Sequence, residues 1–529
     1  MAADRRPIAY TLHVAAEPAL FRAPPPAELS AALGARFRRR LATLSDAALV
    51  ELIGDTVFHE RKRLGSDGGS EGYGALVDEA ARAVHQGDRP ALERVGLALV
   101  EAYTLEIHNP FSARTYRFAT RLMPSLLTRL LSATRPRDLL QGRMDPAARI
   151  GLHGPIERLR ALSETATLIL APTHVSNLDS PLIGYSLFAA GLPPFAYGAG
   201  LNLFNNPAMA FFMERLGAYT VDRRKRNRLY KETLKDYSVE IIGRGHHSLF
   251  FPGGTRSRSG RLETKLKKGL LGTGLDAWQQ SIAAGRPRDV FVVPCTLSIG
   301  LVLEAESLIA DALAEEGRQR YIIMDDEFSE TRTIVAFIQK LMALDAAVHL
   351  RFGEPMDVMG NPIDEDGRSL DPHGHPIDRL GYVCDRHGAV QKDDQRDHLY
   401  TQRVADRLAE AYQRDFIAQS THLAAWAAWR SLAALHPAMD TWQLVRLQGE
   451  EATVSRAGVV ARIGEAMSRL STRHTAMPTT AETVLDEALH RFGSYHRRRA
   501  IDPVATGLQL TPELVLYYQN RLVGWKELR

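Results

Sequence analysis

Ala166-Thr167-Leu168-Ile169-Leu170-Ala171-Pro172-Thr173-His174-Val175-Ser176-Asn177-Leu178-Asp179-Ser180-Pro181 changes character twice within a short span. Ala166–Ala171 is an almost unbroken apolar run, as expected of a strand buried on both faces. Pro172 ends it. Ser180-Pro181 then has the form of a helix N-cap followed by proline in the first turn. The stretch therefore predicts strand, turn and helix, with His174 and Asp179 on the turn at a sheet edge. That placement matters, because positions five apart on one continuous helix diverge by about 140°. Only a bend can bring the imidazole and the carboxylate together.

Working outward, the same texture continues from about 150 to 355. Ala166–Ala171, Phe195–Tyr197, Tyr219–Val221, Ser248–Phe251, Val290–Leu297, Tyr321–Met324 and Val348–Phe352 read as strands. Helical patterns at Pro207–Leu216, Leu229–Arg244 and Gly269–Ala284 lie between them. Such alternation predicts an α/β layer, a sheet covered by helices. Residues 26 to 132 and those beyond 400 read as helical. Between 356 and 400, Gly360-Asn361-Pro362-Ile363-Asp364 recurs as Gly374-His375-Pro376-Ile377-Asp378. With the turn signals Asp366-Gly367 and His387-Gly388, this predicts surface hairpins. Asp364-Glu365-Asp366-Gly367 resembles the start of a calcium loop but lacks its terminal glutamate.

Composition sets bounds. A chain of 529 residues, 45% hydrophobic and 24% charged, is folded and too long for one ordinary core. Net charge is only +4, so bulk charge does not point to nucleic acid. The basic residues are clustered: Arg223, Arg224, Lys225, Arg226, Arg228 and Lys231 form one run, and Arg256, Arg258, Arg261, Lys265, Lys267 and Lys268 another. Such runs are either solvated faces or sites for an anionic substrate, carrier protein or lipid headgroup. Cys295 and Cys384 are the only cysteines, so no disulfide framework or cysteine-based zinc site is implied. Met1–Pro7 lacks the apolar core of a signal peptide, and a reducing cytoplasmic setting is expected. The most apolar stretch, Leu182 to Phe204, is broken by Pro193-Pro194, so no spanning helix is expected. In Ser112–Ser132, Phe118, Leu122, Leu126 and Leu130 recur every four residues among Arg114, Arg117, Arg121 and Arg129. That amphipathic helix could lie on an anionic membrane or pack on a neighbouring domain. Trp426 and Trp429 carry the same two readings, core or interface.

The chemistry concentrates in two segments. In the first, Asp179 can accept from one nitrogen of His174 and leave the other free to take a proton at neutral pH. In the second, Phe250-Phe251-Pro252-Gly253-Gly254-Thr255-Arg256-Ser257-Arg258, a strand runs into a sharp glycine turn. Backbone amides, the Thr255 and Ser257 hydroxyls and the planar fork of Arg256 suit an anion such as a phosphate. A third stretch, Leu216–Arg223, brings Arg223 to a strand end. No Gly-x-Ser-x-Gly nucleophile elbow occurs in this region, which disfavours a serine hydrolase.

His174 to Asp179, Gly217 to Arg223, Phe251 to Arg258 and Val292-Val293-Pro294 resemble, in order and spacing, the four blocks of glycerolipid acyltransferases. Gly198–Leu203, Pro110–Phe118 and Leu516–Asn520 are similar to stretches of the long bacterial glycerol-3-phosphate acyltransferases. The resemblance implies an α/β fold with a mixed sheet covered by helices. Its expected divisions are an N-terminal helical region (1–140), an α/β acyltransferase domain (141–355), a hairpin-rich insertion (356–400) and a C-terminal helical region (401–529). It implies His174 as general base and Asp179 as its orienter. Arg223, Gly254, Thr255, Arg256 and Ser257 would bind glycerol 3-phosphate, and Pro294 would shape the site. Acyl-CoA or acyl-carrier-protein would serve as co-substrate, with no metal or other cofactor. The product would be lysophosphatidate, acylated at sn-1, made peripherally at the cytoplasmic face of the inner membrane on anionic lipid, with no nucleic-acid partner. One departure stands out: the family usually has glutamate where this chain has Gly253. It leaves open another acceptor (lysophosphatidate or dihydroxyacetone phosphate) or a non-catalytic membrane-associated scaffold.

Overall fold

Among the described residues, eight strands form the central sheet: β1 (Ile150–His153), β2 (Thr167–Pro172), β3 (Ala196–Gly200), β4 (Ala218–Val221), β5 (Ser248–Leu249), β6 (Val290–Ile299), β7 (Val348–Phe352) and β8 (Met356–Asp357). The computed structural model of the chain describes residues 20, 23–68, 71–120, 150–201, 207–302, 304–313, 348–470, 475–494 and 498–528. The expected strand Tyr321–Met324 lies outside the described residues, as do Asn202, Leu203 and residues 121–132 of the amphipathic stretch; residues 113–120 are helical.

The strand order is β1-β7-β6-β2-β5-β3-β4, with β8 added to β6. β2 pairs in parallel with β5 and β6, and β3 joins β5 to β4, also in parallel. β7 runs antiparallel to β6 and parallel to β1, and β8 is antiparallel to β6, so the sheet is mixed. Every residue of β2 and β6 is buried, which accounts for their continuous apolar runs. The sequence pattern passed over β1 and β8. β1 is four residues long with Gly151 inside it, and β8 has two residues, too few for any periodicity. The helix expected over Gly269–Ala284 is broken at Gly272 into Lys268–Leu271 and Thr273–Ala283.

Because β2, β3, β4 and β5 are parallel, the loops that follow them emerge along one carboxyl edge. That edge is where open α/β sheets bind ligands.

Four N-terminal helices, α1 (Pro26–Leu41), α2 (Asp46–Asp67), α3 (Glu71–Gln86) and α4 (Arg89–Ile107), pack onto the helix Arg228–Gly243. Leu29, Leu33, Phe37, Leu92 and Tyr103 share a core with Leu229, Tyr230 and Tyr237. Arg36 with Glu240 at 2.9 Å, and Arg40 with Glu232 and Asp236 at 2.9 Å each, fasten the same seam. The C-terminal helices are continuous with the sheet. Leu423, Ala424, Trp429 and Tyr518 lie in one apolar cluster with Leu170, Val293 and Leu297. Trp429 is therefore a core residue, and Trp426 packs partly buried against the same cluster.

Tight turns closed by single β-bridges recur with a period of seven from Met356 to Val390, whereas the helix Asp394–Asp415 takes over the end of the region expected to be hairpin-rich. Asp357, Asp364, Asp371 and Asp385 are each followed three positions on by a glycine with positive φ: Gly360, Gly367, Gly374 and Gly388. One carboxylate oxygen of each aspartate accepts from the backbone amides two and four residues ahead. Asp364, read as a calcium-loop start, thus spends its carboxylate on Asp366 and Arg368 amides.

Two buried histidines accept backbone amides through Nδ1: His247 from Leu168 at 3.0 Å and His422 from Gln419 at 3.1 Å. Burial, aided by Arg288 beside His247 and by Arg521 beside His422, lowers their pKa values to about 4 and about 3. In the unfolded chain both would take up a proton near pH 6.5. Their depressed values mean that stability is fully present above about pH 6.5. It is drained as pH falls toward 4 and then 3, at up to about 1.4 kcal/mol per pH unit for each. The melting temperature should therefore fall steadily from pH 7 to pH 5. His422→Asn, which keeps an acceptor but cannot be protonated, should show a shallower fall in the same melts.

Candidate active site

The bend after β2 forms as the sequence predicts, with its helix starting two residues earlier than expected. Thr173 Oγ1 accepts from the Leu297 amide at 3.0 Å, tying the turn to β6. The helix begins at Asp179 rather than after Ser180, because the Asp179 amide already donates to the Ser176 carbonyl at 3.1 Å. Asp179 is wholly buried. Its Oδ2 accepts from His174 Nδ1 at 2.8 Å, from the Val175 amide at 2.5 Å and from the Ser176 amide at 3.0 Å. Phe251 stacks on the imidazole, with ring centroids 4.1 Å apart and planes at 22°. His174 Nδ1 is thus committed to a carboxylate, and Nε2 has no protein partner among the described residues. A ring so oriented is suited to take a proton from a hydroxyl.

The glycine turn after β5 docks directly on this histidine. The Ser257 amide donates to the His174 carbonyl at 2.9 Å. Gly254 has φ +79°, a left-handed conformation that favours glycine, and the end of the Lys267 side chain fills the place a Cβ would take. The Lys267 ammonium consequently lies over the turn. Thr255 is exposed. The Ser257 hydroxyl donates to the Arg261 carbonyl at 2.6 Å in an exposed contact within the loop, leaving its lone pairs for other uses.

Arg223, on the loop after β4, is brought near Arg256. Partial burial and the neighbouring Arg256 charge hold its proton affinity below that of an ordinary arginine. Arg256 shares its charge with the buried Glu304 at 3.4 Å. Glu304 also accepts from Ser176 Oγ at 2.9 Å and from the Asn177 amide at 2.8 Å, so it links the two loops. Pro294 lies in β6 opposite Ala171 and borders a cleft of about 710 Å³ with Met356, Tyr400, Arg403 and Arg407.

In the basic run after β4, Lys225 is buried, while Arg223, Arg224, Arg226, Arg228 and Lys231 are exposed. Arg224 forks onto Asp222, and Lys225 is buried beneath Tyr73, Tyr103 and Tyr230 with its ammonium 2.5 Å from Glu106. Asn227 caps the helix Arg228–Gly243 and donates to buried Glu60 at 2.9 Å. These contacts let the N-terminal helices hold the Arg223 loop in place. Asn227→Ala would lose the cap, worth about 1 kcal/mol, and strand part of the Glu60 network at about 1–3 kcal/mol. A melting temperature several degrees lower and a raised KM for a phosphorylated acceptor are expected; an unchanged melt would refute the assignment.

The sequence reading missed Glu263 and Glu304, and named Lys267 only as one member of a basic run. Glu263 Oε1 accepts from the His174 amide at 2.7 Å. Burial pushes its carboxyl pKa up, opposed by the His174 amide and by Arg521. The loop is also held from the far end of the chain. Asn520 Nδ2 donates to the Ser259 carbonyl at 2.8 Å, and Gly260 lies directly against the Tyr517 carbonyl.

Residues 155–298 match the family model described as Acyltransferase, a stretch that holds β2 to β5, nearly all of β6 and the loops bearing His174 and Arg256. Within that class, the chain is similar to proteins named glycerol-3-phosphate acyltransferase. It is 33% identical over 204 residues to that of Haemophilus ducreyi, covering 38% of this chain and 23% of the relative. It is 26% identical over 283 residues to that of Pseudomonas aeruginosa, covering 53% of this chain and 30% of the relative. The matched stretch thus spans about a quarter to a third of those relatives' length. Among solved structures, the 1-acyl-sn-glycerophosphate (LPA) acyltransferase of Thermotoga maritima matches at 14% identity with a TM-score of 0.26. That match covers 56% of this chain and 80% of the other.

Proposed function

We propose that this chain transfers a fatty acyl group from a thioester, acyl-CoA or acyl-carrier-protein, to the sn-1 hydroxyl of glycerol 3-phosphate. The observation that carries this reading is the Asp179-oriented imidazole beside a loop bearing Arg256 and Lys267, with Arg223 converging on it. The acceptor's phosphate would be held by Arg223, Arg256, Thr255 and the Gly254–Ser257 turn. His174 Nε2 takes the hydroxyl proton as that oxygen attacks the thioester carbonyl. The tetrahedral adduct collapses, the C–S bond breaks, and the thiolate leaves with the proton from His174. The relatives named for the same activity support the choice of acceptor. A matrix of acyl-CoA and acyl-carrier-protein donors against glycerol 3-phosphate, lysophosphatidate and dihydroxyacetone phosphate tests it. Thiol release dependent on glycerol 3-phosphate is expected. Exclusive use of another acceptor, or no thioester consumption at all, would overturn the assignment.

We further propose peripheral binding to anionic membrane, at the cytoplasmic face of the inner membrane. Phe118 and Phe211 are 56% and 48% exposed, on two helical stretches joined by the Ser112 amide and the Arg215 carbonyl. Arg114, Arg117 and Arg215 lie on the same two stretches, a combination that suits an anionic interface. No helix among the described residues is long and apolar enough to cross a membrane. The protein should float with anionic liposomes at low salt and be released by high salt; failure to float at low salt would rule the surface out.

A further inference from the structure

Gly253 and Glu263 form a matched pair. Gly253 has an ordinary backbone conformation, unlike its neighbour Gly254, so its lack of a side chain is not required by φ. What makes the position tight is space. A Cβ at Gly253 would come within 3.0 Å of Glu263 Cγ and 3.3 Å of Glu263 Oε1. The space a longer residue at 253 would enter is already filled by a carboxylate arriving from ten positions downstream.

That carboxylate is placed to act on the histidine. Its Oε1 holds the His174 amide at 2.7 Å, while the His174 carbonyl is held from the other side by the Ser257 amide at 2.9 Å. Both polar groups flanking the His174 Cα are therefore pinned, and the imidazole can swing only about its own side-chain torsions. Asp179 and Phe251 fix those. The second oxygen, Oε2, is buried with no hydrogen-bond partner among the described residues. Orphaned buried oxygens are costly, and a chain that keeps one gains from the geometry it enforces.

We propose that Glu263 is a positioning residue of the acyl-transfer site, supplying from outside the glycine turn the carboxylate that Gly253 lacks. This rests on the acyltransferase reading above. It accounts for the coexistence of a bare glycine and a single acid, Glu263, within the otherwise basic stretch Arg256–Lys268.

The test compares the purified full chain with Glu263→Ala, Glu263→Gln, Gly253→Glu and the double variant Gly253→Glu/Glu263→Ala, in thiol-release kinetics and thermal melts. Glu263→Ala should lower kcat at least tenfold with little change in KM for glycerol 3-phosphate. Glu263→Gln, which retains an acceptor for the His174 amide, should recover to within about threefold of wild type. Gly253→Glu should be strongly impaired, since two carboxylates then compete for one space. The double variant should recover most of the loss, because the transplanted carboxylate occupies the same position. Wild-type kcat in Glu263→Ala, or a double variant no better than Glu263→Ala at equal melting temperature, would overturn the proposal. If the wild-type chain itself shows no acyl transfer, the failure belongs to the functional reading instead.

Discussion

His174→Ala should lower kcat for acyl transfer by about 10²–10⁴, the usual contribution of a positioned general base. The phosphate contacts assigned to Arg223, Arg256 and the Gly254 turn do not involve the imidazole, so KM for glycerol 3-phosphate should change little. The backbone of residue 174 also keeps both its anchors, Glu263 and Ser257, so the variant should remain folded. Steady-state kinetics with a thiol reporter check this directly. Turnover within tenfold of wild type would remove His174 from the chemistry.

Replacement of Asp179 should separate chemistry from stability. Asp179→Ala removes the acceptor for His174 Nδ1 and strands the Val175 and Ser176 amides, each buried orphan costing about 1–3 kcal/mol. Lost activity and a clearly lower melting temperature are expected together. Asp179→Asn can present its amide oxygen where Oδ2 stands and its nitrogen where the unpartnered Oδ1 lies. Its melt should stay near wild type. Its kcat should still fall by about 10²–10⁴, because the charge that stabilises an imidazolium is gone. If the Asp179→Asn variant retained full turnover, the carboxylate would be a turn-former and nothing more.

The bend carrying this pair was readable in advance because every signal for it is local. A buried strand, a proline stop and a helix start lie within one short segment, and the approach of His174 to Asp179 follows from them. β2, β4, β6 and β7 were legible for the same reason, each being a run of apolar residues against polar neighbours. Residues that reach the site from elsewhere in the fold were not legible. Glu304 stands 128 positions from Ser176 and arrives only because β6 lies beside β2. Glu263 was hidden in a stretch whose composition announced cations. Within the basic run at 223–231, one residue misled in the opposite sense. Lys225 looked like surface charge, yet its ammonium is deeply buried and held by three tyrosine rings. A side chain's neighbours across the fold decide such cases, and no spacing rule reports them.

The clamp on the Ser259–Gly260 segment carries a consequence for biosynthesis. Asn520 reaches back across 261 residues to grip it. A polypeptide emerging from the ribosome could pair β2, β5 and β6 long before the gripping residues exist. Until they dock, the arginine-bearing loop keeps its contacts with the His174 turn and with Pro252 but lacks this outer grip. The outer grip on the Ser259–Gly260 segment would then be acquired last, after the sheet and the His174–Asp179 pair are already built.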